Sequence, residues 1–353
     1  MKKKVISALL CATMVSSMLF GCGSKEAEAP AAEAETQTET ETETETATEE
    51  TADTTEASAE GGSVYYLNFK PEVDAQWQEI AAAYTAETGV PVKVVTAASG
   101  TYEEVLKSEI AGSDAPTLFQ INGPVGYNAW KDYCMDLSNT DLYNNLSDKS
   151  LAIAADGGVY GIPYIVEAYG IIYNDAIMQA YFAMDGAVAK SVDEINSFDT
   201  LKAVVEDMQA KKDDLGIDGV FASTSLLPGE DWRWQTHLAN IPVYYELKDK
   251  GASDVAELEF TYGENFKNIF DLYINNSTCA PALLGSKSVT DSMAEFALGQ
   301  CAMVQNGNWG WGQISGVEGN VVTEENVKFM PIYVGVQGEE NQGLCTGTEN
   351  FWC

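Results

Sequence analysis

The stretch Val64–Thr96, VYYLNFKPEVDAQWQEIAAAYTAETGVPVKVVT, carries the alternation from which the fold class is predicted. Its first six residues form an apolar run typical of a buried strand, and the turn-forming KPE sequence ends that run. A helix is predicted next, because apolar residues recur three and four positions apart until Gly89 stops the pattern. These apolar residues are Trp77, Ile80, Ala81 and Tyr84. Val92–Thr96 then alternates as a second strand.

The same pattern continues along the chain. Thr101 and Glu104 predict a capping box for a second helix, and Thr117–Ile121 is a third apolar strand. Strand, helix, strand, helix, strand predicts a parallel sheet flanked by helices. Ligands of such sheets bind outside the carboxyl ends of the strands, so Lys70 and Asn122 are candidate binding residues. The alternatives are a solvated lysine and an ordinary turn asparagine.

Residues 159–174, VYGIPYIVEAYGIIYN, are predicted to carry the chain from this first lobe into a second one. Glu167 interrupts an apolar strand pattern, so it requires a partner or a ligand. Further elements are predicted as helices near 175–184, 200–212 and 290–298, and as strands near 220–223 and 327–332. The predicted fold class is therefore α/β, with two lobes that each contain a sheet flanked by helices.

Two short stretches place tryptophans beside turn residues. In GEDWRW, Trp232 follows two acidic residues and is a candidate site residue, whereas Trp234 fits core packing. In Gln305–Gly312, QNGNWGWG, glycines leave room for the indoles of Trp309 and Trp311 near a cleft. The alternative is that both are ordinary core tryptophans, and either could anchor the turn.

The candidate residues share a chemistry that suits a neutral sugar. A sugar ring presents apolar C–H faces and a rim of hydroxyls, so its site needs aromatic plates and planar polar partners. An anion would call for more basic groups. The set that supplies this mixture is Lys70, Asn122, Glu167, Trp232, Asn308, Trp309 and Trp311.

The N-terminus indicates export. Residues 1–22 combine a tri-lysine start, an apolar run too short for a comfortable membrane span, and Leu-Phe-Gly-Cys. This ending is similar to a bacterial lipobox, in which Cys22 is lipidated; the alternative is an ordinary secretory signal that contains a cysteine. Residues 23–61 are rich in Glu, Thr and Ala, as in ETETETETATEE, and predict a disordered acidic tether.

Charge and cysteine usage exclude several classes of function. The formal net charge of −35 argues against nucleic acid and anionic membrane surfaces as partners. The chain has seven cysteines without a CxxC spacing and a single histidine, His237, so no metal site and no cofactor are expected. An extracellular location permits disulfides, but the sequence does not indicate which of the cysteines after Cys22 are paired.

A set of motifs in fixed order makes the chain resemble the sugar-binding lipoproteins of bacterial ABC importers, of the family 1 solute-binding type. The motifs after the lipobox and tether are FKPE, SGTYEEVLKSEIAGSDAPTLFQING, GIPYIVEAYGIIYN, GEDWRWQTHLAN, FALGQCAMVQNGNWGW and CTGTENFW. The resemblance covers essentially all of residues 62–353. The resemblance implies a type II periplasmic-binding-protein-like fold, whose two lobes close over a sugar or oligosaccharide and then dock on a membrane permease. It also implies a monomer on the extracellular face of the membrane, held by its lipid anchor only.

The resemblance also implies domain limits and site residues. The expected organisation is a signal peptide (1–22), a tether (23–61), a first lobe (62–170), a second lobe (171–305), and a return crossover with the remainder of the lobes (306–353). Members of the family usually continue with C-terminal helices, so the sequence is expected to be truncated. The expected ligand-binding residues are Lys70, Asn122, Glu167, Trp232, Asn308, Trp309, Trp311, Glu349 and Asn350.

Two other functions remain open from the residues alone. An extracellular glycoside hydrolase would use a pair of carboxylates, and Glu167, Glu230, Asp231 and Glu349 are available. No spacing among these abundant acids marks an acid and a nucleophile, so an enzyme is not expected. A surface carbohydrate-binding lipoprotein without a transport role would explain the tether, but not the polar groups at the strand ends.

Overall fold

The computed structural model describes residues 62–98, 100–223 and 225–353. The signal peptide, Cys22 and the tether, which are predicted for residues 1–61, lie outside this part. The strands are β1 (Val64–Asn68), β2 (Val92–Thr96), β3 (Leu118–Asn122), β4 (Ile153–Ala155), β5 (Gly158–Pro163), β6 (Glu167–Asn174), β7 (Gly219–Phe221), β8 (Cys301–Gly307), β9 (Val327–Met330), β10 (Cys345–Gly347) and β11 (Asn350–Trp352).

Helices connect most of these strands. The α-helices are α1 (Asp74–Thr88), α2 (Tyr102–Ile110), α3 (Gly123–Trp130), α4 (Asp141–Asn144), α5 (Asp175–Phe182), α6 (Phe198–Ala210), α7 (Lys212–Leu215), α8 (Ala239–Lys250), α9 (Gly263–Asn275), α10 (Val289–Ala297) and α11 (Trp311–Ser315). A π-helical segment, Arg233–Leu238, precedes α8 directly. Nothing in this part of the chain forms a helix long and apolar enough to cross a membrane.

The first sheet contains six strands in the order β2-β1-β3-β11-β5-β4. β1 runs parallel to β2 and β3, as the alternation along residues 64–122 predicts. β11 is inserted between β3 and β5 and runs antiparallel to both. The carboxyl ends of β1 and β3 therefore share an edge with the beginning of β11.

The second sheet has the order β10-β6-β8-β7, and β9 also pairs with β6. Alternate residues of β6 enter different hydrophobic clusters, Ile171 and Tyr173 on one face and Ile172 on the other. Helices cover both faces, which confirms the predicted α/β class. The lobe limits at residues 170 and 305 stay predictions.

The chain crosses between the two sheets at residues 164–166, from β5 to β6, and at residues 348–349, from β10 to β11. This second crossing lies within the predicted return segment, residues 306–353, whose limits stay predictions. Residues up to Gly307 pair with β6, and β9 and β10 add to the same sheet before the chain leaves it.

Two local predictions differ from the structure. The Thr101 side chain does not cap α2; its hydroxyl donates to the Ala98 carbonyl instead. The predicted apolar stripe of α1 is mostly uncovered, because Ile80 and Tyr84 are 54% and 48% exposed and only Ala81 is buried. A 3.6-residue period shows where a helix forms, but it does not show how much of its apolar face is covered.

Candidate functional site

Lys70 lies two residues beyond β1, at the edge where the sheets meet. The Asn68 side chain fixes this turn, because its Nδ2 donates to the Lys70 carbonyl and its Oδ1 accepts from the Lys70 amide. Pro71 then begins a short 3₁₀ turn, Pro71–Val73, for which proline is preorganised. The chain is thereby turned sharply and the Lys70 side chain is held at the crossing.

An ion pair joins the two sheets at this point. Lys70 Nζ lies 2.7 Å from Glu167 Oε1, at the first residue of β6, and 3.8 Å from Glu72 Oε1. The Lys70 and Glu167 side chains are only 11% and 9% exposed. The sequence requires a partner for Glu167, and that partner is Lys70. Two predicted site residues are therefore in direct contact.

A cavity of about 130 Å³ opens beside this pair. It is smaller than the roughly 300–1,000 Å³ of ordinary small-molecule sites, and the ion pair occupies one wall. Its lining contains both polar and apolar side chains, as an amphipathic ligand requires. Its lining residues are Lys70, Glu72, Val73, Tyr164, Ile165, Glu167, Asn308 and Trp309.

Trp309 forms the aromatic wall of the cavity. Its ring centroid lies 5.6 Å from Lys70 Nζ, within the range of a cation–π contact. The ring folds back over Gly307, where a Cβ atom would overlap it. The absence of a side chain at Gly307 thus provides the space that the Trp309 ring occupies. Next to it, Asn308 Oδ1 accepts a hydrogen bond from the Ala168 amide at 3.3 Å.

Trp232 and His237 extend this aromatic wall. The Trp232 centroid lies 6.2 Å from that of Trp309 and 4.9 Å from that of His237. His237 is buried and stacks on Tyr169 at 4.0 Å with an angle of 8°. The Arg233 guanidinium covers the Trp232 ring at 4.0 Å. Burial lowers the pKa of Arg233 to about 10, so it stays charged at neutral pH.

Glu349 lies on the second crossing and contacts the same aromatic group. Its Oε1 is 3.4 Å from His237 Nε2. The hydrogen bond from His237 is the largest cause of the lowered pKa of Glu349, with smaller contributions from the charges of His237 and Lys70. Asn350, the next residue, is buried, and among the described residues its Oδ1 has no hydrogen-bond donor.

Five predicted site residues do not line the cavity. Trp232, Glu349 and Asn350 lie close to it through contacts with neighbouring residues, whereas Asn122 and Trp311 lie apart. Asn122 is exposed at the end of β3, and its backbone pairs with that of Asn350, one strand closer to the crossing. Trp311 packs against the hydrophobic cluster that contains Met293 and Phe296. That position fits the anchoring role that the sequence analysis left open for one of the two indoles.

Several residues at the site are not predicted from the sequence. Tyr164 lines the cavity and packs against Trp352 at 4.9 Å. His237 lies against the aromatic wall and is not among the predicted site residues. A usable signal for Tyr164 was present, since it lies in the PYIVE stretch that carries the first crossing. No local signal marks His237, because its neighbours Tyr169 and Glu349 are distant in sequence. In the described residues no three or more His, Cys, Asp or Glu side chains are grouped to hold a metal ion.

A comparison with protein families matches residues 79–353 to the model of the bacterial extracellular solute-binding proteins. The chain belongs to this family. Members of this family bind solutes outside the cell, and the cavity at the crossing strands is the candidate solute site of this member. No curated protein matches the chain.

Solved structures of solute receptors share the fold. They include RafE in complex with raffinose (19% identity, TM-score 0.61, 82% of this chain and 72% of that chain). A chitin oligosaccharide binding protein has 16% identity and a TM-score of 0.60 over 82% of this chain and 71% of that chain. The GacH receptor of Streptomyces glaucescens GLA.O, solved unliganded and with acarbose, has 18% identity and a TM-score of 0.58 over 82% and 70%.

Proposed function

We propose that this solute-binding protein captures a neutral sugar or oligosaccharide at the cavity between its two sheets. The observation that carries the proposal is the Lys70–Glu167 ion pair beside the Trp309 ring. An ammonium and a carboxylate can each hydrogen-bond to adjacent hydroxyls, and an indole can cover the apolar face of the ring. Trp232, Asn308, Glu349 and Asn350 are the further proposed ligand residues. Asn122 and Trp311 stay sequence predictions at the margin of this site.

Sugar binding uses the ion pair as a contact shared by both sheets. Lys70 extends from the end of β1 and Glu167 begins β6, so a ligand that bridges them touches both halves of the protein. A ligand with contacts to both halves favours the closed arrangement over the open one. We therefore propose hinge closure at the two crossings. Small-angle scattering should show a smaller radius of gyration with ligand, and an unchanged radius would contradict closure.

Binding can be tested directly by calorimetry with a panel of sugars. The panel contains raffinose, maltose, β-D-galactopyranose and chitin oligosaccharides, which the structural neighbours bind, together with other neutral oligosaccharides. At least one sugar should bind, and its binding should change tryptophan fluorescence because Trp232 and Trp309 lie at the site. If no sugar gives a binding heat while acidic or peptide solutes bind, the neutral-sugar proposal is wrong.

The glycoside hydrolase alternative is not favoured. A hydrolytic acid needs a raised pKa so that it can donate a proton at neutral pH. Glu349 has a lowered pKa, and Glu167 is engaged with Lys70. We therefore propose that the protein is not an enzyme. Incubation with a bound oligosaccharide should leave it intact by chromatography, and release of shorter sugars would make the hydrolase reading correct.

The bound sugar is then delivered to the permease of an ABC transporter. The protein acts as a monomer on the outer face of the cell membrane, held by a lipid on Cys22 and the acidic segment 23–61. The support is Leu-Phe-Gly-Cys followed directly by a polar, acidic stretch. In a bacterial host, Cys22→Ala should move the protein from the membrane fraction to the medium. Retention of the variant on the membrane would contradict lipid anchoring at this cysteine.

A further inference from the structure

Two cysteines meet at the edge of the first sheet, far apart in sequence. Cys134 follows the 3₁₀ turn Lys131–Tyr133, and Cys353 follows β11. Both side chains pack against the same hydrophobic cluster, which contains Phe119 and Phe351. Each thiol shifts the pKa of the other, so the two side chains are neighbours. Cys134 Sγ donates to the Trp130 carbonyl at 3.3 Å. Cys353 Sγ also donates to the Tyr160 carbonyl at 2.7 Å.

Backbone hydrogen bonds hold both segments in place, so the contact does not depend on side-chain rotamers alone. Cys353 exchanges two backbone hydrogen bonds with Phe119, of 2.8 and 3.1 Å. Three residues after Cys134, the Leu137 amide donates to the Val159 carbonyl at 2.7 Å. Val159 and Tyr160 are consecutive residues of β5, so this strand positions both cysteine segments.

The other three cysteines of the described chain have different surroundings. Cys301 is fully buried in the core of the second sheet. The Cys279 and Cys345 thiols contact the hydroxyls of Ser277 and Tyr169. The contact between Cys134 and Cys353 therefore stands apart among the five, and the family to which the chain belongs works outside the cell, where disulfides persist.

We propose that Cys134 and Cys353 form a disulfide in the exported protein. The bond forms between the two Sγ atoms, with loss of two protons and two electrons from the thiols. An external disulfide accepts the electrons: the thiolate of one cysteine displaces one thiol from it, and the second cysteine then displaces the other. The products are the protein disulfide and two molecules of free thiol.

The two cysteines have unequal roles in this exchange. Contact with Cys353 lowers the pKa of the Cys134 thiol, while contact with Cys134 and burial raise the pKa of the Cys353 thiol. The thiol that ionises first attacks the external disulfide, and the other thiol resolves the mixed disulfide. The completed bond ties the end of β11 to the segment after α3. Because β11 begins at Asn350, this bond also secures the strand that carries the second crossing into the site.

The test uses the full chain equilibrated with oxidised and reduced glutathione, then denatured, alkylated with iodoacetamide and digested for mass spectrometry. The Cys134 and Cys353 peptides should be linked and the intact mass about 2 Da lower than after reduction. Cys279, Cys301 and Cys345 should be alkylated. Cys134→Ser should remove the link and leave Cys353 alkylated or bound to glutathione, whereas the matched variant Cys279→Ser should keep the link.

A thermal melting experiment distinguishes a disulfide between Cys134 and Cys353 from a contact between two reduced thiols. Reductant should lower the melting temperature of the wild type and of Cys279→Ser, but it should leave the melting temperature of Cys134→Ser unchanged. The proposal is overturned if Cys134 and Cys353 are both alkylated in folded protein after equilibration with oxidised glutathione. It is equally overturned if either cysteine is found linked to Cys279, Cys301 or Cys345.

Discussion

The Lys70–Glu167 pair should behave as a buried ion pair whose partners depend on each other. At a separation of 2.7 Å and an effective dielectric constant of about 20, the attraction is about 6 kcal/mol, and the loss of hydration offsets most of it. Removal of one partner leaves the other charge buried. We expect Lys70→Met to lower the free energy of unfolding by about 3–5 kcal/mol.

The two single substitutions should not be equal. After Glu167→Gln, Lys70 still has Glu72 at 3.8 Å, so the expected loss is smaller, about 2–3 kcal/mol. The double variant Lys70→Met/Glu167→Gln leaves neither charge and should cost about 1–2 kcal/mol, well below the sum of the singles. The coupling energy of this cycle is therefore expected to be several kcal/mol.

Urea unfolding at neutral pH, followed by fluorescence and circular dichroism, measures these free energies. The matched control is the exposed pair Lys202–Glu206 on α6, whose side chains are 46% and 52% exposed at 2.5 Å. Lys202→Met should cost less than about 0.5 kcal/mol. If the Lys70–Glu167 coupling is as small as that of the control, solvent screens the pair, and its assignment as a buried bridge between the sheets is refuted.

Three further outcomes are expected. Trp309→Ala should weaken sugar binding by about 1–3 kcal/mol, measured by calorimetry, because the indole forms one wall of the cavity. The control is Trp130→Ala, which removes a half-buried tryptophan away from the cavity and should leave the affinity unchanged. If both substitutions weaken binding equally, the role of Trp309 is structural. Gly307→Ala should weaken binding by a similar amount, because the added Cβ displaces the Trp309 ring. In the Trp309→Ala background the same substitution should have no further effect on affinity. Additive effects of the two substitutions would contradict the idea that Gly307 acts through the position of the Trp309 ring. Glu246 accepts hydrogen bonds from Lys250 and from the amides of Glu259 and Thr261, which lowers its pKa from 4.5 to about 2. Its contribution to stability is therefore present above about pH 4.5 and is lost as the pH falls towards 2. Glu246→Gln should melt at a lower temperature than the wild type at neutral pH and should approach it near pH 2, whereas a difference that persists at pH 2 would contradict the titration.

The repeated strand and helix pattern was sufficient to predict the first sheet, because hydrophobic period and turn residues are local properties. β1, β2, β3 and the two helices between them are present close to their predicted limits. The insertion of β11 between β3 and β5 could not be predicted in this way. Three residues near the end of the chain become an inner strand only because partners from two distant segments offer free hydrogen-bonding edges.

The same distinction between local and distant information explains what was found and missed at the site. Three site residues are unusual for their local sequence. Lys70 is a lysine at a strand end, Glu167 is an acid in an apolar strand, and Trp309 is an indole beside a glycine. His237 has no such anomaly within its helical stretch. It belongs to the site because Tyr169 stacks on it and Glu349 reaches it from the second crossing.

The two crossings explain why these particular residues meet. Residues 164–166 lead directly into Glu167, and residues 348–349 lead directly into Asn350. Because the crossings connect the same pair of sheets, the side chains next to them are in contact with both halves of the molecule, as Lys70–Glu167 and His237–Glu349 are. Any solute that replaces or bridges these pairs changes the contacts between the sheets. Binding at this place would thus be coupled to the relative position of the sheets, whichever solute is bound.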